Sequence, residues 1–309
     1  ITKKKKNQKQ KILKARNMLR NVNLLRLFGN AFIILILAYG VLVYYVFGVQ
    51  YGTRAPDQSL PFKIHLGFFN AFGILFLISF FQTIISDPGK VPLFWGFFLD
   101  DPDHKRRRYC LICHIFKPER CHHCSACNRC VLNMDHHCPW LNNCIGFYNR
   151  KFFLLLLTYA ILAKFDITIV YFMDWFNLAR ELLSSSDAVY PWNSAYLMMI
   201  CYPLNCVMFV VLITFFKFHI QLIIDNMTTI EYMDKKRGPE ARHEAINYDM
   251  GFYYNFIQIF GKNPWLWAFP IFLRSGGPVG DGVVWPQKPS RGQTYEMEMS
   301  NRDLSLNRD

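Results

Sequence analysis

The sequence predicts an all-α polytopic membrane protein, with four transmembrane helices and a small cytosolic zinc-binding, cysteine-rich domain between spans two and three. Three observations carry that reading. The 52% hydrophobic content gathers into four long apolar blocks. Eight of the ten cysteines fall between Cys110 and Cys144, in the connection between the second and third blocks. The 35 Lys and Arg residues are distributed very unevenly over the connections.

The chain opens with a basic arm, residues 1–23, that includes "KKKKNQKQKILKAR". Such an arm gains about 1 kcal/mol per basic residue from anionic headgroups at a membrane surface, and it equally suits a solvated charge run. The apolar blocks follow at 24–49, 64–85, 152–176 and 195–224. Each exceeds the ~20 residues that cross roughly 30 Å of hydrocarbon at 1.5 Å per residue. Helices so long and so poor in charge exceed what a soluble core uses. The first block is too long for a cleavable signal and lies behind the basic arm, so it reads as the first anchor. The chain opens at Ile1 rather than Met, which leaves the natural N-terminus open.

Charge sets the expected orientation. Residues 1–26, 87–151 and 225–309 carry ten Lys and Arg each, whereas 50–63 and 178–194 carry only Arg54, Lys63 and Arg180. The positive-inside bias then puts both termini and the 86–151 domain in the cytosol. The net charge of +13 is thereby explained by topology rather than by nucleic acid, and no nucleic-acid partner is expected. A DNA-reading zinc finger would need an exposed basic helix, and this segment is tethered at both ends to spans.

In a reducing cytosol, metal explains the cysteine cluster better than disulfides do. The pairs Cys110/Cys113 and Cys124/Cys127 have the C-x-x-C spacing of tetrahedral zinc sites, and His122, His123, His136 and His137 add imidazoles. The segment is short of aliphatics, so metal would supply much of its folding free energy. Spacing does not choose the ligands. Cys121, Cys124, Cys127 and Cys130 recur every third residue, and several partitions into two sites are open.

The run "CLICHIFKPERCHHCSACNRCVLNMDHHCPWLNNCIGFYNRKFF" resembles the cysteine-rich domain of the DHHC protein S-acyltransferases, or palmitoyltransferases. Three further stretches agree with that family in order. They are "DPG" at Asp87–Gly89, "TTIE" at Thr228–Glu231, and "NFIQIFG" at Asn255–Gly261, which is similar to the family's C-terminal motif. The resemblance implies two structural Zn²⁺ ions, one on Cys110, Cys113, His123 and Cys130, the other on Cys124, Cys127, His137 and Cys144. It leaves Cys138 as a nucleophile, with His136 as base and Asp135 orienting it. It also implies acyl-CoA (palmitoyl-CoA) as co-substrate and cysteine-containing proteins at the membrane as acceptors. The enzyme would sit in an endomembrane (Golgi, ER or vacuole).

The chemistry is consistent with these residue types. Moving an acyl group between two thiols exchanges thioesters of similar energy, and the chain carries neither a G-x-x-x-x-G-K-[ST] nor a G-x-G-x-x-G loop. A cysteine with a pKa of about 8.5 is only a few per cent ionised at pH 7, so a neighbouring base is needed. Successive residues of an extended strand point to opposite faces, which would send His137 toward metal and His136 toward Cys138. Lys117 and Arg120 are the expected partners of the CoA phosphates. Thr228, Thr229 and Glu231 follow span four and are expected to pack against the catalytic module, though the same residues suit a helix cap. Asp87 also reads as a plain helix stop. Lys164 and Asp166 lie inside span three, where Lys164 could close the deep end of an acyl cavity or simply pack.

The region 225–285 should be cytosolic and partly laid on the membrane, with Trp265 and Trp267 at headgroup level. The tail 286–309 reads as disordered. Two rivals remain at this stage: a membrane-anchored zinc module that binds partners without catalysis, and a transporter, for which Lys164 and Asp166 are thin support.

Overall fold

The computed structural model describes residues 29–50, 60–96, 108–184, 192–238, 246–273 and 277–288. The basic arm, and the expected tail from 289 onward, lie outside the described residues. Four helices are long and apolar enough to cross a membrane: α1 (Gly29–Gln50), α2 (Leu60–Ile85), α3 (Arg150–Val170) and the Ala195–Ile224 part of α5 (Trp192–Ile224). Their outward faces expose Ile34, Val41, Leu60, Ile74, Val207 and Val210, the surface that a lipid solvent requires. Helix α3 packs against both α2 and α5, and the last seven residues of α1, Tyr44–Gln50, widen into a π-helix against α5.

The third apolar block resolves into two helices. The span ends at Val170, and a separate amphipathic helix, α4 (Phe172–Ser184), follows across a turn at Tyr171. The expected 152–176 span merged them because Phe172, Met173, Trp175 and Phe176 are as apolar as the span itself. Tyr171 is buried, and its hydroxyl donates to the Phe47 carbonyl at 2.5 Å, which ties the end of α3 to α1. The two charged residues deep inside the span have partners. Lys164 donates to the Tyr39 hydroxyl at 3.0 Å, and Asp166 Oδ2 lies 2.8 Å from His65 Nδ1.

Between α2 and α3 the chain forms three short antiparallel hairpins rather than a conventional core. They are β1 (Tyr109–Cys110) with β2 (Ile115–Phe116), β3 (His122–Cys124) with β4 (Arg129–Val131), and β5 (His136–Cys138) with β6 (Asn143–Ile145). Asn128 and Asn142 take the left-handed turn positions of the last two, at φ of 50° and 48°, a conformation asparagine tolerates better than most residues.

The hairpins are locked to the bundle by polar side chains. Asn143 Nδ2 donates to the carbonyls of Thr83, Ile84 and Ser86, satisfying the otherwise unpaired end of α2. Gly146 allows the crossing of the two segments, since a Cβ there would meet Pro88 O at 2.7 Å and Leu132 O at 2.9 Å. Beyond α5 come α6 (Thr229–Lys236) and α7 (Phe252–Phe260). Residues 277–288 then return to the hairpins, where Val283 and Trp285 bury against Leu132 and Phe147.

Candidate functional site

The hairpin pairing decides what spacing left open. Register sets His123 opposite Cys130 and His137 opposite Cys144. Two clusters result, Cys110–Cys113–His123–Cys130 and Cys124–Cys127–His137–Cys144, and in each the ligand atoms all lie within 4.8 Å of one another. In the first, His123 Nδ1 is 3.2 Å from Cys113 Sγ and 3.6 Å from Cys110 Sγ. In the second, His137 Nδ1 is 3.5 Å from Cys127 Sγ and 3.7 Å from Cys144 Sγ, and the two sulfurs are 3.4 Å apart. Donors at about 2.3 Å (S) and 2.0–2.1 Å (N) from a tetrahedral ion stand roughly 3.4–3.8 Å apart, so both Cys₃His sets fit one. Backbone N–H groups of Cys113 and Cys127 point at Cys110 and Cys124 Sγ, which would stabilise thiolates.

Cys138 belongs to neither cluster. Because β5 alternates, His137 faces the second cluster, while His136 and Cys138 face the bundle. There Cys138 packs among Phe80, Leu141, Ile145, Phe153, Leu156 and Leu157. His136 Nδ1 is 2.7 Å from Asp135 Oδ2. Asp135 is fully buried and held by more than the imidazole. The Thr229 N–H donates to its Oδ1 at 3.0 Å, the Thr229 hydroxyl donates to its Oδ2 at 2.9 Å, and Arg150 Nη2 lies 3.5 Å from Oδ1. Burial alone would raise its pKa. The Arg150 charge and the His136 hydrogen bond outweigh burial and hold the carboxyl well below the usual range. Burial likewise opposes a charge on His136, yet Asp135 and Cys138 push its pKa up to about 9. That shift favours the protonated imidazole beside the thiol.

Arg120 departs from expectation. Arg120 is 3% exposed, and its guanidinium donates to both Glu231 carboxylate oxygens at 2.8 Å, to Asn226 Oδ1 at 3.0 Å and to the Asn226 carbonyl at 2.8 Å. Tyr248 and Trp285 sandwich it, each ring centroid 4.5 Å from Cζ. A side chain so committed is not available to a phosphate, and Arg120 is a structural clamp. Lys117 on the same turn is half-buried with no side-chain partner among the described residues.

Glu231 also completes a capping box on α6: Thr228 Oγ1 accepts from Glu231 N, and Glu231 Oε2 accepts from Thr228 N. Burial works against its charge, but Arg120 keeps its carboxyl below the usual range. The cap and the attachment to the site thus act together, with Thr228 and Glu231 fixing the turn that aims Thr229 at Asp135.

Asp87 does more than stop α2. It accepts from Arg129 through both oxygens, at 2.9 and 2.6 Å, and from the Gly89 N–H at 2.9 Å, where Gly89 has φ of +130°. Asn255 anchors α7 to the end of α5 by donating to the Ile224 carbonyl and to Asp249. Of the two tryptophans expected at headgroup level, Trp265 is 86% exposed, but Trp267 turns inward, packs on Phe256 and donates to the Gly261 carbonyl.

Several site residues had no distinct signal in the sequence. Arg150 and Lys151, at the start of α3, are both buried. Arg150 reaches Asp135 and the Met227 carbonyl, and Lys151 reaches the Leu266 and Ile271 carbonyls. A basic pair at the very start of a span, following a turn rather than a loop, is the one hint the sequence offered. Asn226 and His219 were hidden at the end of an apolar block.

A membrane-embedded bundle carrying two Cys₃His clusters and an Asp–His–Cys constellation defines a class of thiol-bearing membrane enzymes. Comparison with known proteins is specific: residues 103–236 match DHHC palmitoyltransferase. The chain is 32% identical to probable protein S-acyltransferase 14 of Arabidopsis thaliana, over 88% of this chain and 95% of that protein. It is 31% identical to probable protein S-acyltransferase 13 of the same plant, over 83% and 89%. It is 39% identical to palmitoyltransferase ZDHHC15 of Rattus norvegicus, over 59% and 50%. The chain belongs to the DHHC palmitoyltransferase family of enzymes.

Proposed function

We propose that this protein takes a long-chain acyl group from acyl-CoA, holds it as a thioester on Cys138, and passes it to cysteine thiols of proteins at the membrane. The observation that carries this reading is the partition of β5: His137 turns to a metal cluster while Cys138, outside both clusters, meets His136 and Asp135 on the bundle side. The two Cys₃His sets are each read as holding one Zn²⁺. Both are closed four-ligand sets of the structural kind, so the metal would fix the hairpins and take no part in acyl transfer.

The reaction is written in two balanced halves. The Cys138 thiolate attacks the acyl-CoA carbonyl carbon, and a C–S bond forms as the C=O π pair moves to oxygen. As the carbonyl re-forms, the bond to CoA breaks and the CoA thiolate takes the proton held on His136. An acceptor thiol then gives its proton to His136, its sulfur attacks the thioester, and Cys138 leaves as thiolate beside a recharged imidazolium. Asp135 stabilises that imidazolium and keeps its Nδ1 proton aimed inward. The phenylalanine and leucine side chains around Cys138 suit an acyl chain entering between the spans, at about 0.8 kcal/mol per buried CH₂. Lys117 is the cation proposed for the CoA phosphates. The charge bias supports a cytosolic active site, and the membrane proposed for it is an endomembrane (Golgi, ER or vacuole), with membrane lipids around the spans.

The two-step route is tested by mixing purified protein with palmitoyl-CoA and no acceptor. A burst of about one CoA per chain, with a matching palmitoyl mass gain that an added cysteine peptide removes, is expected. Release of CoA only when the acceptor is present would exclude the acyl-enzyme route.

A further inference from the structure

The dyad described so far supplies a nucleophile and a proton carrier, but nothing yet assigned would stabilise the oxyanion of the tetrahedral intermediate. His219, in the last turns of α5, is unused by that chemistry and sits beside it. It is 1% exposed, and neither ring nitrogen has a hydrogen-bond partner among the described residues. One ligand-capable atom each from His219, Asp135 and His136 lie within 4.8 Å of one another.

The histidine is held in an aromatic cage. Phe215 stands edge-on at 4.6 Å between centroids, Phe153 at 5.0 Å and Phe218 at 5.4 Å. The His136 ring is 5.8 Å away. Phe153 also faces His136 at 5.3 Å and belongs to the cluster that encloses Cys138, so one phenylalanine wall is shared by the thiol, the proton carrier and His219.

A phenylalanine would fill this cage without leaving any polar atom unpaired. A buried, unmade hydrogen bond carries a desolvation penalty that folding alone does not recover. Asp135 offers no relief, since His136, Thr229 and Arg150 already surround its carboxylate. The reactants can supply the partner that His219 lacks among the described residues. In either neutral tautomer the imidazole presents one N–H. A fixed donor in a dry apolar cage is worth most against charge that exists only in the transition state.

Resting on the acyl-Cys138 reading, the geometry points to His219 as the oxyanion donor of both acyl-transfer steps. It hydrogen-bonds the former carbonyl oxygen when Cys138 or the acceptor sulfur adds to the thioester carbon, and releases it when the C=O bond re-forms. Its own proton stays on the ring, and the transferred proton remains on the His136 route.

The test is single-turnover self-acylation from palmitoyl-CoA, with bound zinc and melting temperature measured on the same samples. His219→Phe keeps the cage filled but removes the donor. His219→Asn removes ring bulk but retains an N–H donor. For His219→Phe the expected result is a loss on the order of 10²- to 10³-fold in acylation rate, with KM for palmitoyl-CoA within about threefold and zinc unchanged. His219→Asn should recover at least roughly tenfold of that loss. A His219→Phe rate within threefold of wild type overturns the inference, as does His219→Asn no faster than His219→Phe. Loss of zinc or of the melting transition in both variants assigns His219 a structural role and also overturns it. A Cys138→Ser control run in parallel separates this outcome from failure of the underlying reading. If that variant is labelled as fully as wild type, the thioester assignment itself falls, whatever His219 does.

Discussion

Replacing Arg120 with glutamine separates two opposed accounts of one residue. If Arg120 meets CoA phosphate, the variant raises KM for acyl-CoA and leaves stability alone. The structure gives the reverse. Four hydrogen bonds would be lost, two of them to the Glu231 carboxylate and two to Asn226, along with stacking between Tyr248 and Trp285. Removing one member of a buried ion pair costs about 3–5 kcal/mol, because the other charge is left unpaired. The Glu231 side chain is 24% exposed and can recruit water, which puts the expected cost near the lower end, about 3 kcal/mol. At about 2–4 °C per kcal/mol, the melting temperature in detergent should fall by roughly 6–12 °C. Acylation rate should fall as well, because Glu231 fixes the turn that aims Thr229 at Asp135. The assay is thermal unfolding followed by intrinsic fluorescence, with KM for palmitoyl-CoA measured well below the transition. A melting temperature within 2 °C of wild type together with a severalfold higher KM would refute the clamp.

Other perturbations address the rest of the site. Thr229→Val removes one hydrogen bond to the buried Asp135 charge, worth about 1.5–3 kcal/mol. It should slow self-acylation by roughly 10- to 100-fold with zinc content unchanged, checked by rapid-quench labelling beside metal analysis. Cys144→Ser should lower bound zinc from two ions to about one per chain, whereas Cys121→Ala should leave two; plasma emission spectrometry of purified protein distinguishes them. Cys121 is buried beside the first cluster, and burial pushes its pKa up to about 11, so it should also resist thiol alkylation in the folded protein. Lys164→Leu removes the bond to Tyr39 across the bundle. If Lys164 closes the deep end of an acyl cavity, the preferred chain length among acyl-CoA donors will shift; an unchanged preference removes that role.

The bundle was legible in the sequence because a membrane helix is written in length and apolarity alone, needing no knowledge of its neighbours. The same rule explains the merged third span. Nothing in the apolarity of Phe172–Phe176 reveals that the chain turns at Tyr171, since the turn is held by a hydroxyl bond to Phe47, 124 positions away. The cysteine-rich segment was legible as a metal module from composition, but its strands are two or three residues long, too short for any alternation to register. The ligand partition therefore needed either the family resemblance or the register of β3–β4 and β5–β6. The burial of Arg120 has no local signal, because "KPER" has the composition of an exposed basic turn. Its partners, Asn226 and Glu231, lie 106 and 111 positions away, and no local pattern announces such a pair. His219 was invisible for a different reason: a single histidine in a long apolar block has no periodic signature.

The central claim is that Cys138 carries the acyl group while the other cysteines of its module hold metal. The most direct measurement is transfer of labelled acyl from palmitoyl-CoA to purified wild type and Cys138→Ser, with hydroxylamine sensitivity and bound zinc recorded for both. Hydroxylamine-labile label on wild type alone, with two zinc ions retained by each protein, is the predicted result. Loss of zinc from Cys138→Ser, or no label on a folded, zinc-loaded wild type, would contradict it.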